Sequence, residues 1–211
     1  MKLQFLSTTA GEDRLKRLIQ KRLEPGADIP KIDATIWDLF GEEWAVMFTD
    51  LSGFSRNVAK FGIIHFLVTI YESERLLTPI IEDFGGFILK VEGDSFLVIF
   101  RNPKRALECS VEMQNVLKVY NQNRNEEDQV LLCVGLGFGR ILRIGDSDVF
   151  GAEVNAASKL GEDTAKAYEI LVTGGFQRAV QNAFPSTWEK LDDLSIPSAD
   201  SAFKFVYSFR N

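Results

Sequence analysis

The stretch Trp44-Ala45-Val46-Met47-Phe48-Thr49-Asp50-Leu51-Ser52-Gly53-Phe54-Ser55 decides how the rest of the chain is read. Its first five residues are an unbroken apolar run, short enough for a strand buried on both faces. Thr49-Asp50 ends the strand, and Gly53-Phe54-Ser55 opens a long helical region to Asp83, kinked at Pro79 and stopped by Gly85-Gly86. Phe87–Lys90 and Ser95–Phe100 follow as two strands around Val91-Glu92-Gly93-Asp94, a hairpin signal. Asn102-Pro103 starts a helix toward Asn121 by the cap-then-proline rule, and Asn121–Asp128 is a polar loop. Strands are expected over Val130–Gly137, Ile141–Ile144 and Ile170–Thr173, with helices over Val154–Leu160 and Phe176–Ala183. Ser186–Ser201 reads as a surface loop, and Ala202–Phe209 as an edge strand that closes the sheet. Upstream, Leu15, Leu18, Ile19 and Leu23 make 11–23 an amphipathic helix, and Pro30–Glu43 reads as a connector ending in a short helix at Trp37–Phe40. The order is that of an α/β (α+β) fold, a ferredoxin-like, palm-type split βαβ sandwich with helices on a mostly antiparallel sheet. Residues 1–43 form a helical extension and 44–211 the main domain.

Composition bounds the function. The chain has 211 residues, 45% hydrophobic and 26% charged, which is enough to bury a core without staples. Twenty-four basic residues against 30 acidic give a net charge of −6. An acidic surface repels nucleic acid and anionic membranes, so neither is an expected partner. A small anion held in a local basic or metal-loaded pocket stays allowed. Cys109 and Cys133 lack the spacing of a disulfide framework or zinc site. The single histidine, His65, lies in the apolar stretch Phe61–Val68, where packing is the expected role. The longest near-apolar run, Phe61–Tyr71, is too short to span a bilayer, and the N-terminus turns polar by Ser7, so no membrane insertion and a cytoplasmic location are expected.

Two carboxylates carry the chemistry. Asp50 leaves the first core strand and Asp94 lies in the hairpin turn, and in a split βαβ topology those ends meet. Short Asp side chains at strand ends suit Mg²⁺ or Mn²⁺, which take oxygen ligands in fixed geometry. Behind Asp50, Leu51, Ser52, Gly53 and Phe54 turn into a helix whose free N–H groups suit a polyphosphate. Taken singly, Asp50 is also a good helix N-cap and Asp94 a good turn residue. Together in this topology they favour a metal site.

Three separated segments then resemble the class III nucleotidyl cyclases, the adenylyl and guanylyl cyclase catalytic domain. Phe48-Thr49-Asp50-Leu51-Ser52-Gly53-Phe54-Ser55 is similar to that family's F-x-D-[IL]-x-G-F-[TS] metal motif. Lys90-Val91-Glu92-Gly93-Asp94 is similar to its K-x-x-G-D hairpin, and Asp148–Ser158 to D-[IV]-[WFY]-G-x-x-V-N-x-A-[SA]. Val134-Gly135-Leu136-Gly137-Phe138-Gly139 resembles the strand that precedes the last motif. The likeness runs in order over roughly residues 44–175.

The resemblance implies that Asp50 and Asp94 bind two divalent cations, Mg²⁺ or Mn²⁺, and that 44–211 is a catalytic domain. It implies that Lys90 donates to N1 of adenine and Asp148 accepts from its exocyclic amine, which points to ATP over GTP. Asn155 would orient the ribose, and Lys159 stands where the family has its transition-state arginine. Lysine keeps the charge and loses the bidentate fork, so lower turnover is expected. The family's phosphate-binding lysine before the final strand has no counterpart in Ser195–Ser201; Lys204 lies in the strand, and Arg140 or Arg143 are stand-ins to consider. The family builds its site at a head-to-tail dimer interface, with metal ligands from one subunit and the Asn155 and Lys159 positions from the other. The reading is therefore an adenylate cyclase acting as a homodimer. Its rival is a weak or inactive cyclase-homology module that binds nucleotide or serves dimerisation. A guanylate cyclase is disfavoured by Lys90 and Asp148, and a diguanylate cyclase by the lack of its Gly-Gly-Asp-Glu-Phe hairpin.

Overall fold

The computed structural model describes residues 10–53, 60–185, 187–192, 194, 196 and 198–210. Two helices, α1 (Ala10–Arg22) and α2 (Ile29–Phe40), lead directly into β1 (Gly41–Leu51). Then come α3 (Ile63–Asp83), the hairpin β2 (Phe87–Glu92) and β3 (Ser95–Phe100), and α4 (Pro103–Asn121). After a short turn at Glu126–Asp128 run β4 (Leu132–Ile144), β5 (Asp148–Phe150) and α5 (Ala152–Ser158), which continues as a π-helical turn, Lys159–Thr164. The chain closes with β6 (Ile170–Thr173), α6 (Gly174–Val180), β7 (Trp188–Lys190) and β8 (Ala202–Phe205).

The strands form one sheet in the order β2-β3-β1-β4-β6-β8-β7, with β5 folded back on β4. Among the described residues, only the β4–β6 pair is parallel. β1 lies between β3 and β4, antiparallel to both, which is the split βαβ arrangement. Its apolar run is buried on both faces, as its composition requires. Ala45 and Met47 join the core under α3, α4 and α6, with Leu77, Leu107, Met113 and Phe176. Trp44 and Val46 join the opposite core, with Val149, Val154 and Ala157 beneath α5.

Several boundaries differ from expectation, each for a physical reason. The connector assigned to Pro30–Glu43 is helical as far as Phe40, because Asp28 caps the helix by accepting from Lys31 N (3.1 Å) and Pro30 occupies its first turn, and from Gly41 it is already β1. The two strands expected over Val130–Gly137 and Ile141–Ile144 are one 13-residue strand, whose glycines are packing positions rather than breaks. β8 is not an edge: β7, formed inside the presumed surface loop, pairs beyond it through Trp188–Phe205 and Lys190–Phe203. The start of the helical region at Phe54-Ser55 lies outside the described residues; α3 begins after Gly62, whose φ is +86°. His65 ties α3 to the Glu126–Asp128 turn, its Nε2 bonding the Glu127 carbonyl at 2.8 Å. Both cysteines are buried and free.

Candidate active site

Asp50 and Asp94 are brought together by the lock between β1 and β3. The buried Thr49 hydroxyl accepts from Phe96 N (3.1 Å), which pins the end of β1 against the hairpin turn. Gly93 makes that turn possible at φ +62°, a conformation other residues rarely hold. On its other side, Asp50 is paired with Cys133 of β4, and Ser52 N donates to Leu131 O (2.7 Å). Burial, then the facing Asp94 carboxylate, then Glu162 push the Asp50 carboxyl up to about 7. Asp94 Oδ2 is buried without a hydrogen-bond partner. A pair of carboxylates pressed together, one oxygen unpartnered, is costly by itself and suited to divalent cations. Among the described residues no group of three or more His, Cys, Asp or Glu side chains is arranged for a metal. Asp50 and Asp94 are thus the pair of carboxylates that this corner would offer a divalent cation.

A second cluster is built by β2, β5 and α5. Lys90 Nζ donates to Asp148 Oδ2 at 2.8 Å, while Asp148 Oδ1 accepts from Val149 N at 2.9 Å. Both side chains line a cavity of about 280 Å³ with an apolar wall of Phe48, Leu97, Val149 and Val154, and with Asn155 and Glu162 at its polar side. An apolar slot with a few convergent polar groups is what a purine ring and ribose require. Glu162 lies beyond the last sequence motif and was not among the expected residues; no local pattern marks it.

The remaining expected residues are distributed as follows. Leu51 is buried in the core. Ser52 and Gly53 border a different cavity, of about 420 Å³, with Lys60, Phe61, Glu126 and Leu131. Phe54 lies outside the described residues. Lys159 is exposed and bonded to Asp163 at 2.8 Å. Neither arginine considered as a phosphate ligand is free for it. Arg140 donates to Trp37 O (3.0 Å), and Arg143 holds Gly145 O (3.1 Å) and Asp146 while stacking on Trp44. Lys204 pairs with Glu169 at 2.8 Å.

Glycines set the depth of α5. Gly135, Gly137 and Gly139 alternate along β4 and all face it. A Cβ on Gly135 would run into Ala157 O and Gly161 N, and one on Gly161 would stand 2.6 Å from Phe48 O. The helix bearing Asn155 and the turn bearing Lys159 thus lie backbone to backbone on the sheet. No helix among the described residues is long and apolar enough to cross a membrane.

Comparison with known proteins agrees with this fold. The family model of the adenylate and guanylate cyclase catalytic domain matches residues 41–206. A Myxococcus xanthus protein named serine/threonine-protein kinase pkn2 is 28% identical over 152 residues, 72% of this chain and 18% of that protein. A Rhizobium meliloti (strain 1021) protein whose name includes the words adenylate cyclase 3 is 28% identical over 136 residues, 64% of this chain and 23% of that protein. The chain thus spans about a fifth of the length of these curated relatives. Among solved structures, the adenylyl cyclase CyaB from P. aeruginosa superposes with a TM-score of 0.67 at 20% identity, covering 81% of this chain and 96% of that one. At that identity the likeness shows the fold.

Proposed function

The chain belongs to the adenylate and guanylate cyclase catalytic domain family, and from that premise we propose that it is an adenylate cyclase, converting ATP to 3′,5′-cyclic AMP and pyrophosphate as a head-to-tail homodimer in the cytoplasm. The observation that carries the nucleotide choice is the Lys90–Asp148 pair in the apolar cavity. Adenine offers an acceptor at N1 and a donor at its exocyclic amine, so an ammonium and a carboxylate can trade each other for the base edge. Guanine reverses both and would leave two half-buried charged groups mispaired.

For the homodimer, the cavity that holds Lys90, Asp148 and Asn155 is lined by neither Asp50 nor Asp94, although Glu162 lines it and also faces Asp50. In the proposed head-to-tail dimer the partner's carboxylate pair would complete each nucleotide cavity. Asp50 and Asp94 would hold two Mg²⁺ or Mn²⁺ ions, which when bound neutralise the triphosphate and acidify the attacking hydroxyl. Asn155 orients the ribose so that its 3′-oxygen stands in line with the α-phosphorus. The new bond joins those atoms, the bond from the α-phosphorus to the bridging oxygen breaks, pyrophosphate departs and the hydroxyl proton passes to water. Lys159, released from Asp163, places its ammonium against the charge that grows on the α-phosphate.

A second reading is a module that binds nucleotide without turning it over. The lysine at 159 and its bond to Asp163 favour it. Calorimetric titration with ATP, run beside a product assay, separates the two: binding with no cyclic nucleotide formed would establish the second.

A further inference from the structure

We infer that Glu153 is a positioning residue for Asn155, fastening α5 into a gap in the sheet and so fixing where Asn155 stands in the nucleotide cavity. The inference rests on the reading of that cavity given above. α5 is seven residues long and has no side-chain cap at its start, so its placement comes from what it touches. Glu153, in its first turn, supplies the contact. The parallel ladder between β4 and β6 is registered from Val134–Ile170 to Leu136–Val172. Just past it, Glu153 Oε2 accepts from Phe138 N of β4 at 3.1 Å and from the Thr173 hydroxyl at the end of β6 at 2.6 Å. Thr173 in turn accepts from Phe176 N at 3.2 Å, capping α6. One carboxylate oxygen thereby joins α5 to two strands and a second helix.

The gap is shaped for this side chain. A Cβ on Gly139 would stand 3.0 Å from Glu153 Cγ, and one on Gly175 2.8 Å from Oε1. Glycines leave the space that the glutamate fills. Two helical positions span about 200° of rotation, so anchoring residue 153 toward the sheet sets the direction of residue 155. Half-buried charge-assisted bonds of this kind are short and directional, which suits them to holding an angle.

The test compares Glu153→Met, which fills the space and accepts no hydrogen bond, with Glu153→Gln, whose amide oxygen can accept both. Glu153→Met is expected to lower kcat by about ten- to a hundredfold with little change in KM, since small misplacements of reacting groups have effects of that size. Glu153→Gln is expected to restore most of it. In an Asn155→Ala background, Glu153→Met should add no further loss. Amide hydrogen exchange over residues 155–160 should quicken in the Met variant and not in the Gln variant. Unchanged exchange and unchanged kcat in a folded Glu153→Met protein would overturn the inference. So would a loss equally large in both backgrounds, which would make Glu153 a general stability residue. If Asn155→Ala itself leaves turnover intact, the reading of the cavity fails, and the exchange measurement still judges the clamp. Should Glu153→Met not fold, Thr173→Val, which removes one of the two donors, is measured in its place.

Discussion

Lys90 Nζ and Asp148 Oδ2 are 2.8 Å apart although 58 positions separate them in the chain. Their side chains remain 36% and 30% exposed, at the mouth of the cavity rather than its floor. A salt bridge so placed contributes little to stability. Under the proposed function, its use would be in what it offers an incoming base: one donor and one acceptor beside an apolar slot.

Exchanging that pair should exchange the nucleotide. Lys90→Glu with Asp148→Ser replaces donor and acceptor with an acid and a small residue. The ratio of kcat/KM for ATP to that for GTP should fall by about a hundredfold or more, as two mispaired polar groups cost about 2–6 kcal/mol. Steady-state assays with both nucleotides check this. An unchanged ratio would remove the pair from base recognition.

The carboxylate corner should trade stability for function. Asp50 and Asp94 are pressed together, with Asp94 Oδ2 unpartnered. Asp50→Asn removes one charge of the pair, so the melting temperature of chelator-treated protein should rise by about 2–4 °C, the shift that about 1 kcal/mol gives in a chain of this size. Mn²⁺ is expected to stabilise the parent protein and to stabilise the variant less, and cyclic nucleotide formation should be lost in the variant. Thermal melts with and without Mn²⁺ read all of this but the last.

Gly135→Ala should be among the most damaging single-methyl additions. The added Cβ meets backbone of both α5 and the π-helical turn, which cannot rotate away as a side chain would. Overpacking of this kind costs about 1–3 kcal/mol. Denaturant unfolding should show a lower midpoint, and turnover should fall further than stability alone explains, because Asn155 and Lys159 ride on the displaced segment.

Lys159→Arg should raise kcat. A guanidinium presents two parallel donors to phosphoryl oxygens where an ammonium presents a point charge. A gain of about tenfold is expected, the effect of about 1.4 kcal/mol in the transition state. No gain would mean that Lys159 is not the group facing the α-phosphate.

Much of this architecture is legible in the sequence where local rules act alone. Asn102-Pro103 marks the start of α4 because cap and proline chemistry is local, and the helix runs Pro103–Asn121 as expected. A related cap-and-proline signal, Asp28 with Pro30, starts α2, and Ile32, Ile36 and Phe40 recur at helical spacing as its buried face, so the whole 12-residue helix is legible and an expectation confined to Trp37–Phe40 is too short. β7 is three residues long and carries no alternation that a sequence could display, so β8 looks like an edge. The glycines of β4 look like interruptions until α5 is seen lying against them. Within the site, motif spacing marks Asp50, Asp94, Lys90, Asp148 and Asn155. Glu153 and Glu162 escape notice because the partners that give them meaning, Phe138, Thr173 and Asp50, are brought to them by the fold.

The most direct test of the central claim is cyclic nucleotide production by the purified protein, given ATP or GTP with Mn²⁺ across a protein concentration series, beside Asp50→Ala. The account predicts cyclic AMP from ATP, specific activity that rises with protein concentration as dimers form, and none from the variant. A dimeric protein that makes no product from either nucleotide, or that makes cyclic GMP in preference, would contradict it.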